Sequence, residues 1–284
     1  MKISKNNKIL IVGLGLIGGS YAKGFIKKGF EVGAIDVSEK AISFALNNGI
    51  ISHGKTTVEK DYVSKFDTVI FAVYPHVLLD WISSYQDFIK PNVVLTDVTG
   101  VKKEIVYKIQ SALRNNLEFV GAHPMAGKEV GGVENASEEI FENANYIVTP
   151  TEKNTEENIE FTKSIGEILG FRRISVLSPE EHDEMIGFLS QLTHCIAVSL
   201  MTCKDSKNLV DYTGDSFRDL TRIAKINENM WSELFLLNKD ELLSQMDIFM
   251  EKFTELKKTI EDGDTEKMKE IMRLSTTRRK LFDK

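Results

Sequence analysis

Cysteine is scarce in this sequence, which has only two among its 284 residues, Cys195 and Cys203. If both lie on one helix, the eight positions between them correspond to about 12 Å, and that distance is too long for a disulfide. A chain without a disulfide framework is typical of a reducing compartment. We therefore predict a cytoplasmic protein.

Long apolar runs and an excess of positive charge are missing as well. We find no stretch long enough to cross a bilayer, and the formal net charge of −6 disfavours nucleic acid or an anionic membrane as a partner. Histidine and cysteine are not grouped as metal ligands, so we predict no metal site. With 42% apolar and 27% charged residues, the composition is that of a soluble globular protein.

The most informative stretch has three glycines in the spacing G-x-G-x-x-G, namely Gly13, Gly15 and Gly18. They follow a short apolar strand and precede a helical pattern. Glycine lets a phosphate come close, and a helix N-terminus offers unpaired N–H groups and the positive end of a dipole. The next predicted strand ends on Asp36, whose carboxylate can accept both hydroxyls of a ribose. This context predicts a dinucleotide site.

The cofactor is predicted to be NAD rather than NADP, because Asp36 would repel a 2′-phosphate and no arginine follows it closely. We expect Leu16 and Ile17, in the first turn of the helix, to bind NAD together with the glycines. Val73 and Asp97 follow or end two later strands and complete the predicted cofactor residues.

Strands alternate with helices over the first part of the chain. Further strands are predicted at 67–73, 93–95, 118–122, 146–148 and 172–176, with helical patterns between most of them. This order predicts an α/β, Rossmann-type doubly wound, mostly parallel sheet with right-handed crossovers. After residue 177 only helical patterns remain. We therefore predict an NAD-binding domain over 1–177 and an all-helical substrate-binding and dimerisation domain over 178–284.

The first helix of the second domain is predicted over 179–203, with Ser178 as N-cap and Glu181 closing a capping box. Its circumference is mostly apolar, apart from a stripe of small or polar residues at helical spacing. The stripe consists of Asp183, Gly187, Ser190, Gln191 and His194. It either faces a ligand or forms hydrogen bonds within the core, and periodicity does not distinguish the two.

Two arginines, Arg218 and Arg222, lie four residues apart on a later predicted helix. Asp215 and Asp219 each precede an arginine by three residues, so intrahelical ion pairs are the alternative to ligand binding. Further on, apolar residues alternate four and three apart, which is typical of a helix-packing seam. We predict a homodimer through this seam, which consists of Leu242, Met246, Phe249, Phe253, Leu256 and Ile260.

Histidine is the usual base at neutral pH, and the chain has five. His123 follows a predicted strand at its C-terminal end, where open α/β sheets bind their ligands. His194 lies on the polar stripe, so these two histidines can face each other across a cleft. We expect His53 and His76 to be surface residues without partners and His182 to have a structural role.

Several segments resemble the prephenate dehydrogenase family, in the same order over nearly the whole chain. They are the glycine loop, the segment DVTGVK at 97–102, GAHPMAG at 121–127, SPEEHD at 178–183, QLTH at 191–194, FRDLTRIA at 217–224 and NMW at 229–231. The combination of GAHPMAG with FRDLTRIA is specific, whereas the glycine loop alone is not.

The resemblance implies NAD-dependent oxidation of prephenate, with release of carbon dioxide, to 4-hydroxyphenylpyruvate for tyrosine synthesis. His123 would accept the proton of the ring hydroxyl, and Arg222 would pair with a substrate carboxylate. His194 would contact the pyruvyl side chain, with Arg218 and Gln191 nearby. No chorismate mutase segment or ACT segment is recognised, so we expect any feedback by tyrosine to act at the active site.

The sequence departs from the family pattern at two positions. Many relatives have serine in place of Gly100, where it helps to orient the histidine and the cofactor, and we expect Thr99 to take over that catalytic role. Many also have proline in place of Thr193, which keeps arogenate as an alternative substrate. A β-hydroxyacid dehydrogenase-like reductase or an imine reductase of the same architecture is an alternative. Such enzymes typically use a lysine on a helix as the acid, whereas the polar stripe here carries a histidine. A non-catalytic NAD-sensing module is a further alternative.

Overall fold

A computed structural model describes residues 2–205 and 207–283 of the chain. The strands within those residues are β1 Ile9–Val12, β2 Val32–Ile35, β3 His53–Lys55, β4 Thr68–Phe71, β5 Val94–Asp97, β6 Glu118–Phe119, β7 Gly121–Pro124, β8 Asn145–Thr149 and β9 Arg173–Val176. The helices are α1 Leu16–Lys27, α2 Glu39–Asn47, α3 Lys60–Val63, α4 Pro75–Tyr85, α5 Lys103–Ala112, α6 Glu156–Leu169, α7 Pro179–Ile186, α8 Thr193–Thr202, α9 Asp215–Thr221, α10 Glu228–Leu237, α11 Lys239–Glu261 and α12 Thr265–Arg279.

The first six strands form one sheet in the order β3-β2-β1-β4-β5-β6, with every neighbouring pair parallel. The four central strands, β1, β2, β4 and β5, are buried along their whole length. Apolar clusters cover both faces of the sheet, as a parallel sheet requires. This is the strand order of a doubly wound dinucleotide-binding fold, and it confirms the predicted fold class.

The last three strands form a second sheet, which the sequence did not reveal. The predicted single strand at 118–122 is divided at Val120: β6 stays in the large sheet, and β7 pairs with β8 in an antiparallel arrangement. β9 then lies parallel to β8. Apolar runs of this kind look alike whichever sheet they join, so the pairing could not be predicted. His123 consequently lies within β7, opposite Ile147, rather than after a strand.

The described residues after 177 contain helices and no strand, as predicted. Ser178 and Glu181 form the predicted capping box, in which the Glu181 N–H donates to the serine hydroxyl and the Glu181 carboxylate accepts from the Ser178 N–H. From there the chain is helical to Thr202, but the six residues Gly187–Leu192 between α7 and α8 form a π-helix. The predicted uniform α-helix was therefore wrong in this middle segment.

The run Pro179–Thr202 is long and apolar enough, by length and composition alone, to cross a membrane. The expectation that no stretch is long enough was therefore wrong. One such helix is weak support for a membrane span, because the core helix of a globular protein passes the same test. This helix also carries the buried residues His182 and Asp183, which are bonded to the first domain as described below.

Candidate active site

The glycine loop between β1 and α1 leaves space for a phosphate group. Gly13 has a φ of +97°, and a Cβ there would collide with the carbonyl oxygen of Ala72. A Cβ on Gly18 would collide with the carbonyl of Gly13, so α1 packs tightly against the loop. By contrast, a Cβ on Gly15 would meet nothing within 4 Å. No side chain caps α1, so the amides of its first turn, including those of Leu16 and Ile17, lack a side-chain partner. The loop therefore fits a pyrophosphate.

Asp36 holds this loop in place. Its two carboxylate oxygens accept hydrogen bonds from the backbone N–H groups of Leu14, at 2.6 Å, and Ser38, at 2.7 Å. A carboxylate has about four lone-pair positions, so the group retains capacity for ribose hydroxyls. The side chain of Val73 lies against Gly13. The predicted cofactor residues of the loop, β2 and β4 thus lie together.

Asp97 and Thr99 lie beneath the cleft in a buried polar cluster. The Asp97 carboxylate accepts from Nζ of Lys102 at 2.5 Å and from the backbone N–H of Ala122 at 3.0 Å. It also accepts from the hydroxyl of Thr99, which in turn accepts from Lys102 at 3.0 Å. Burial lowers the pKa of Lys102, and the adjacent Asp97 opposes that shift. Asp97, which we predicted at the cofactor, and Thr99, which we predicted to help orient His123, both form hydrogen bonds within this cluster. The Thr99 hydroxyl is not bonded to His123.

His123 is linked to His182 and Asp183, neither of which was predicted as a catalytic or binding residue. Its Nδ1 lies 2.9 Å from Nε2 of His182, whose Nδ1 lies 2.7 Å from Oδ1 of Asp183. The same carboxylate accepts the backbone N–H groups of Lys102 and Lys103, both at 2.8 Å, at the start of α5. It therefore also satisfies the unpaired N-terminal amides of that helix. The capped first turn of α7 places His182, although its sequence position alone suggested only a structural role.

These contacts determine where the protons lie. An ionised carboxylate only accepts hydrogen bonds, so His182 carries its proton on Nδ1 and presents an unprotonated Nε2. His123 must then donate from Nδ1, which leaves its own Nε2 with a free lone pair. Burial lowers the pKa of His123 well below its usual value, and the neighbouring His182 and Lys102 act in the same direction. His123 is therefore a neutral imidazole with an unprotonated Nε2, the protonation state that a general base requires.

The space beside this nitrogen is bounded by Gly100. A Cβ at that position would lie 3.9 Å from Nε2 of His123 and 3.4 Å from Cδ1 of Leu234. Leu234 belongs to α10 and is buried against the large sheet's cluster. The second domain thus closes one side of the space at His123.

His194 is bound by the same helix. Its ring stacks on Trp231 with the ring centres 3.7 Å apart and the planes inclined by 30°. Its Nδ1 lies 2.9 Å from the carbonyl oxygen of Ser190. Burial lowers the pKa of His194, while that hydrogen bond and the charge of Glu129 raise it and Arg222 lowers it. The charges of Glu129 and Arg222 therefore act on this ring.

The two arginines differ in their surroundings. Arg222 forms an ion pair with Glu129 on the loop after β7, rather than with Asp219. Arg218 donates to Asp215, at 2.6 Å, and to the carbonyl of Thr213, at 3.1 Å. For Arg218 the structure shows the intrahelical pairing that was the alternative to ligand binding, whereas Arg222 lies on the side of His194.

Gln191 does not face the cleft. It is 2% exposed, and its Nε2 donates to the carbonyl of Leu234 at 2.9 Å while its Oε1 accepts from Asn238 at 2.8 Å. The polar stripe was predicted on the assumption of a uniform α-helix, and the π turns change the direction of the residues that follow. We correct the substrate-binding assignment of Gln191 to a buried, hydrogen-bonded role.

Helix α10 joins the two histidine environments. Trp231 contacts His194, and Leu234, one turn further on, borders the space at His123. Residues three apart on a helix have Cβ atoms about 5–6 Å apart, so both rings lie close to the same turn of α10. The same helix carries Glu233, which accepts from the backbone N–H of His76 at 2.7 Å and contacts its Nδ1 at 2.8 Å. His76 is exposed as predicted, but it has this partner; His53, also exposed, lies 3.5 Å from Glu31.

Comparison with known proteins finds one enzyme family for both parts of the chain. The family described as "Prephenate dehydrogenase, nucleotide-binding domain" matches residues 22–175, and the one described as "Prephenate dehydrogenase, dimerization domain" matches 178–274. The chain is 33% identical over 268 residues to the prephenate dehydrogenase of Bacillus subtilis, which covers 92% of this chain and 72% of that protein. It is 30% identical over 270 residues to the cyclohexadienyl dehydrogenase of Zymomonas mobilis, covering 90% of each.

Among solved structures, the prephenate dehydrogenase of Aquifex aeolicus in complex with hydroxyphenyl propionate and NAD+ superimposes with a TM-score of 0.89. The identity is 30%, and the match covers 100% of both chains. The resemblance noted in the sequence is thereby confirmed. This chain belongs to the prephenate dehydrogenase family.

Proposed function

We propose that this protein catalyses the NAD-dependent oxidative decarboxylation of prephenate to 4-hydroxyphenylpyruvate in tyrosine biosynthesis. The observation that carries the proposal is the chain of hydrogen bonds from His123 through His182 to Asp183, which leaves an unprotonated Nε2 in the space bordered by Gly100 and Leu234. Family membership and the NAD complex of the Aquifex aeolicus relative support the reaction and the cofactor.

When bound, NAD would supply the acceptor for the hydride from C4 of the substrate ring. The amides of Gly15, Leu16 and Ile17 would hold its pyrophosphate, and Asp36 would accept its ribose hydroxyls. The open space above Gly15 and the free N-terminus of α1 fit that role. A 2′-phosphate would be repelled by Asp36, so NAD should be used more efficiently than NADP. Equal kcat/KM for both cofactors in a steady-state assay would contradict this assignment.

The chain's own chemical task is to remove one proton. His123 takes the proton of the C4 hydroxyl on Nε2, so the C–O bond becomes a carbonyl as the hydride departs. The bond between C1 and its carboxylate then breaks, and carbon dioxide leaves. The electron pair of that bond stays in the ring and completes its aromatic system, while the C4 oxygen regains a proton. Because aromatisation drives the second step, the protein mainly has to position the substrate and hold the base in one tautomer.

Arg222 and His194 are proposed to bind the two carboxylate-bearing ends of the substrate. A guanidinium pairs with a carboxylate through two parallel hydrogen bonds. Arg222 is 64% exposed in its pair with Glu129, and exposed ion pairs contribute only about 0–1 kcal/mol. A dianionic substrate can therefore displace Glu129 at small cost. His194 would contact the pyruvyl side chain through Nε2, because its Nδ1 is already bonded to Ser190.

A homodimer in the cytoplasm is the proposed state of the protein. In the single chain Leu242, at the start of the seam on α11, is buried, but Phe253 and Ile260 are 63% and 61% exposed. A second copy would cover this apolar face, and the matching family description "dimerization domain" supports it. The division at residue 177 is proposed as the domain boundary, since β9 ends at Val176 and the capped helix starts at Pro179.

Arogenate is the second candidate substrate. Thr193, in place of the proline of the family pattern beside His194, leaves the choice between prephenate and arogenate open, and one similar relative is named cyclohexadienyl dehydrogenase. One absorbance assay decides the matter: NADH formation with prephenate, arogenate and a simple 3-hydroxy acid, measured side by side. The highest kcat/KM should be found with prephenate. A preference for the 3-hydroxy acid would overturn the proposed function.

A further inference from the structure

The π-helical segment Gly187–Leu192 lies immediately before His194 and interrupts an otherwise regular helix. π-helical segments are rare, and they occur frequently at functional sites. The question is therefore what holds this segment, and what it does for the residues that follow.

A pair of buried amides holds it. Gln191, inside the segment, donates from Nε2 to the carbonyl of Leu234 near the end of α10. Its Oε1 accepts from Nδ2 of Asn238, which also donates to the carbonyl of Asp183 at 2.9 Å. Asn238 is 4% exposed. The two side chains thus join the π-helix, α7 and α10, and loss of either would leave buried polar groups unpaired.

The segment in turn sets the state of His194. The carbonyl of Ser190 accepts the Thr193 hydroxyl at 2.7 Å and lies 2.9 Å from Nδ1 of His194. A carbonyl only accepts, so the proton of the neutral ring is on Nδ1, and Nε2 is the nitrogen left for a ligand. The ring's other contact is Trp231 on α10. His194 is therefore fixed by the two elements that the Gln191–Asn238 pair ties together.

We propose that Gln191 and Asn238 are positioning residues: they hold the π-helix against α10 so that His194 keeps one tautomer and one orientation, stacked on Trp231, for binding the side chain of the substrate. The identity of that substrate rests on the proposed function. The positioning itself does not, and it can be measured without any substrate.

The first measurement uses the fluorescence of Trp231 to report its contact with His194. The chain has two tryptophans, so in a Trp81→Phe background the fluorescence comes from Trp231 alone. Protonation of a histidine in contact with an indole quenches its emission, and the charged groups facing this ring are Glu129 and Arg222. We expect Gln191→Met and Asn238→Asp, which match the size of the native residues but remove their bonds, each to reduce the pH-dependent change by more than half. Ser232→Ala, which removes an exposed hydroxyl bonded only within α10, is the control.

The second measurement separates positioning from catalysis. In the wild-type background both variants should raise KM for prephenate roughly tenfold, leave kcat within about threefold and leave the Kd for NAD unchanged. An intact Trp231 signal in both variants would overturn the proposal. A higher KM for Gln191→Met with an intact signal would also overturn it, because Gln191 would then be a direct ligand.

A measurement on the unaltered sequence applies even if the variants do not fold. Nitrogen-15 chemical shifts of the histidine rings distinguish the two neutral tautomers. His194 should show the Nδ1–H tautomer, and finding the Nε2–H tautomer would overturn the proposal. If the protein shows this tautomer and the fluorescence response but does not oxidise prephenate, the proposed function fails while the positioning role stands.

Discussion

Nδ1 of His123 and Nε2 of His182 lie 2.9 Å apart, so the buried imidazole of one domain's helix orients the proposed base on the other domain's strand. His182 in turn is fixed by Asp183. The pair explains how a histidine without an adjacent carboxylate can be held in a single tautomer. It also defines which variants should affect proton transfer and which should affect substrate binding.

Replacing the base should reduce turnover and leave cofactor binding intact. His123→Asn is expected to lower kcat at least ~100-fold, the scale of lost general-base help, with an unchanged Kd for NAD by calorimetry. His53→Asn, at an exposed position on the edge strand β3, serves as the control. Near-normal turnover in His123→Asn would remove this residue from the mechanism.

The pH dependence of the reaction follows from the lowered pKa of His123. Only the neutral ring accepts a proton, so activity is lost as the pH falls through the folded-state pKa. That pKa lies well below the ordinary value of about 6.5. The acidic limb of kcat/KM, which reports the free enzyme, should therefore lie below pH 6.5. The profile is measured from initial rates of NADH formation. If kcat/KM fell to half its maximum at pH 6.5 or above, the assigned surroundings of His123 would be wrong.

Gly100 should tolerate one added carbon but not a branched side chain. The Cβ of Gly100→Ala would lie 3.4 Å from Leu234, an ordinary contact, so kcat/KM should stay within about threefold. Gly100→Val would place its methyl groups in the space at Nε2 of His123 and should reduce kcat/KM more than ~10-fold. Both variants should bind NAD normally. Equal activity of the two would show that substrate does not approach His123 past Gly100.

Arg222 and Glu129 should act in opposite directions on substrate binding. Arg222→Gln removes the bidentate carboxylate partner and should raise KM for prephenate at least ~10-fold, far more than it lowers kcat. Glu129→Gln frees the arginine, so KM should fall or stay within about twofold, because the exposed pair contributes at most about 1 kcal/mol. An unchanged KM in Arg222→Gln would show that Arg222 only forms a structural ion pair with Glu129 and does not bind the substrate.

The apolar face of α11 should mediate self-association. Phe253→Glu introduces a charge into that face and should convert a dimer to a monomer at micromolar concentration in analytical ultracentrifugation. Lys257→Ala, which removes only an exposed ion pair with Glu261, should not. A monomeric protein before any substitution would contradict the proposed dimer.

Much of the fold and part of the site could be predicted because their signals are local. The glycine loop, Asp36 and the capping box at Ser178 are each encoded within a few residues; the structure forms the capping box and brings Asp36 to the glycine loop. The contact between His182 and His123 could not be predicted, because the two residues are 59 positions apart in sequence. Asp97 looked like a cofactor residue at a strand end, yet its charge is used to bury Lys102.

The assignment of Gln191 failed for a different physical reason. A periodic pattern places residues on a helix face only if every turn has the same geometry, and the π segment breaks that condition. Nothing in the local sequence signals it, since the contacts that hold it come from Asn238, 47 residues further on.

The small second sheet has a mechanical consequence for the enzyme. β7 carries His123, and β9 leads within three residues into the turn that carries His182. Asp183 then fastens that turn to the start of α5 through two amides. A hinge motion at residues 177 and 178 would therefore break the hydrogen bond between His123 and His182. We therefore expect β7, the start of α5 and the first turn of α7 to move as one unit.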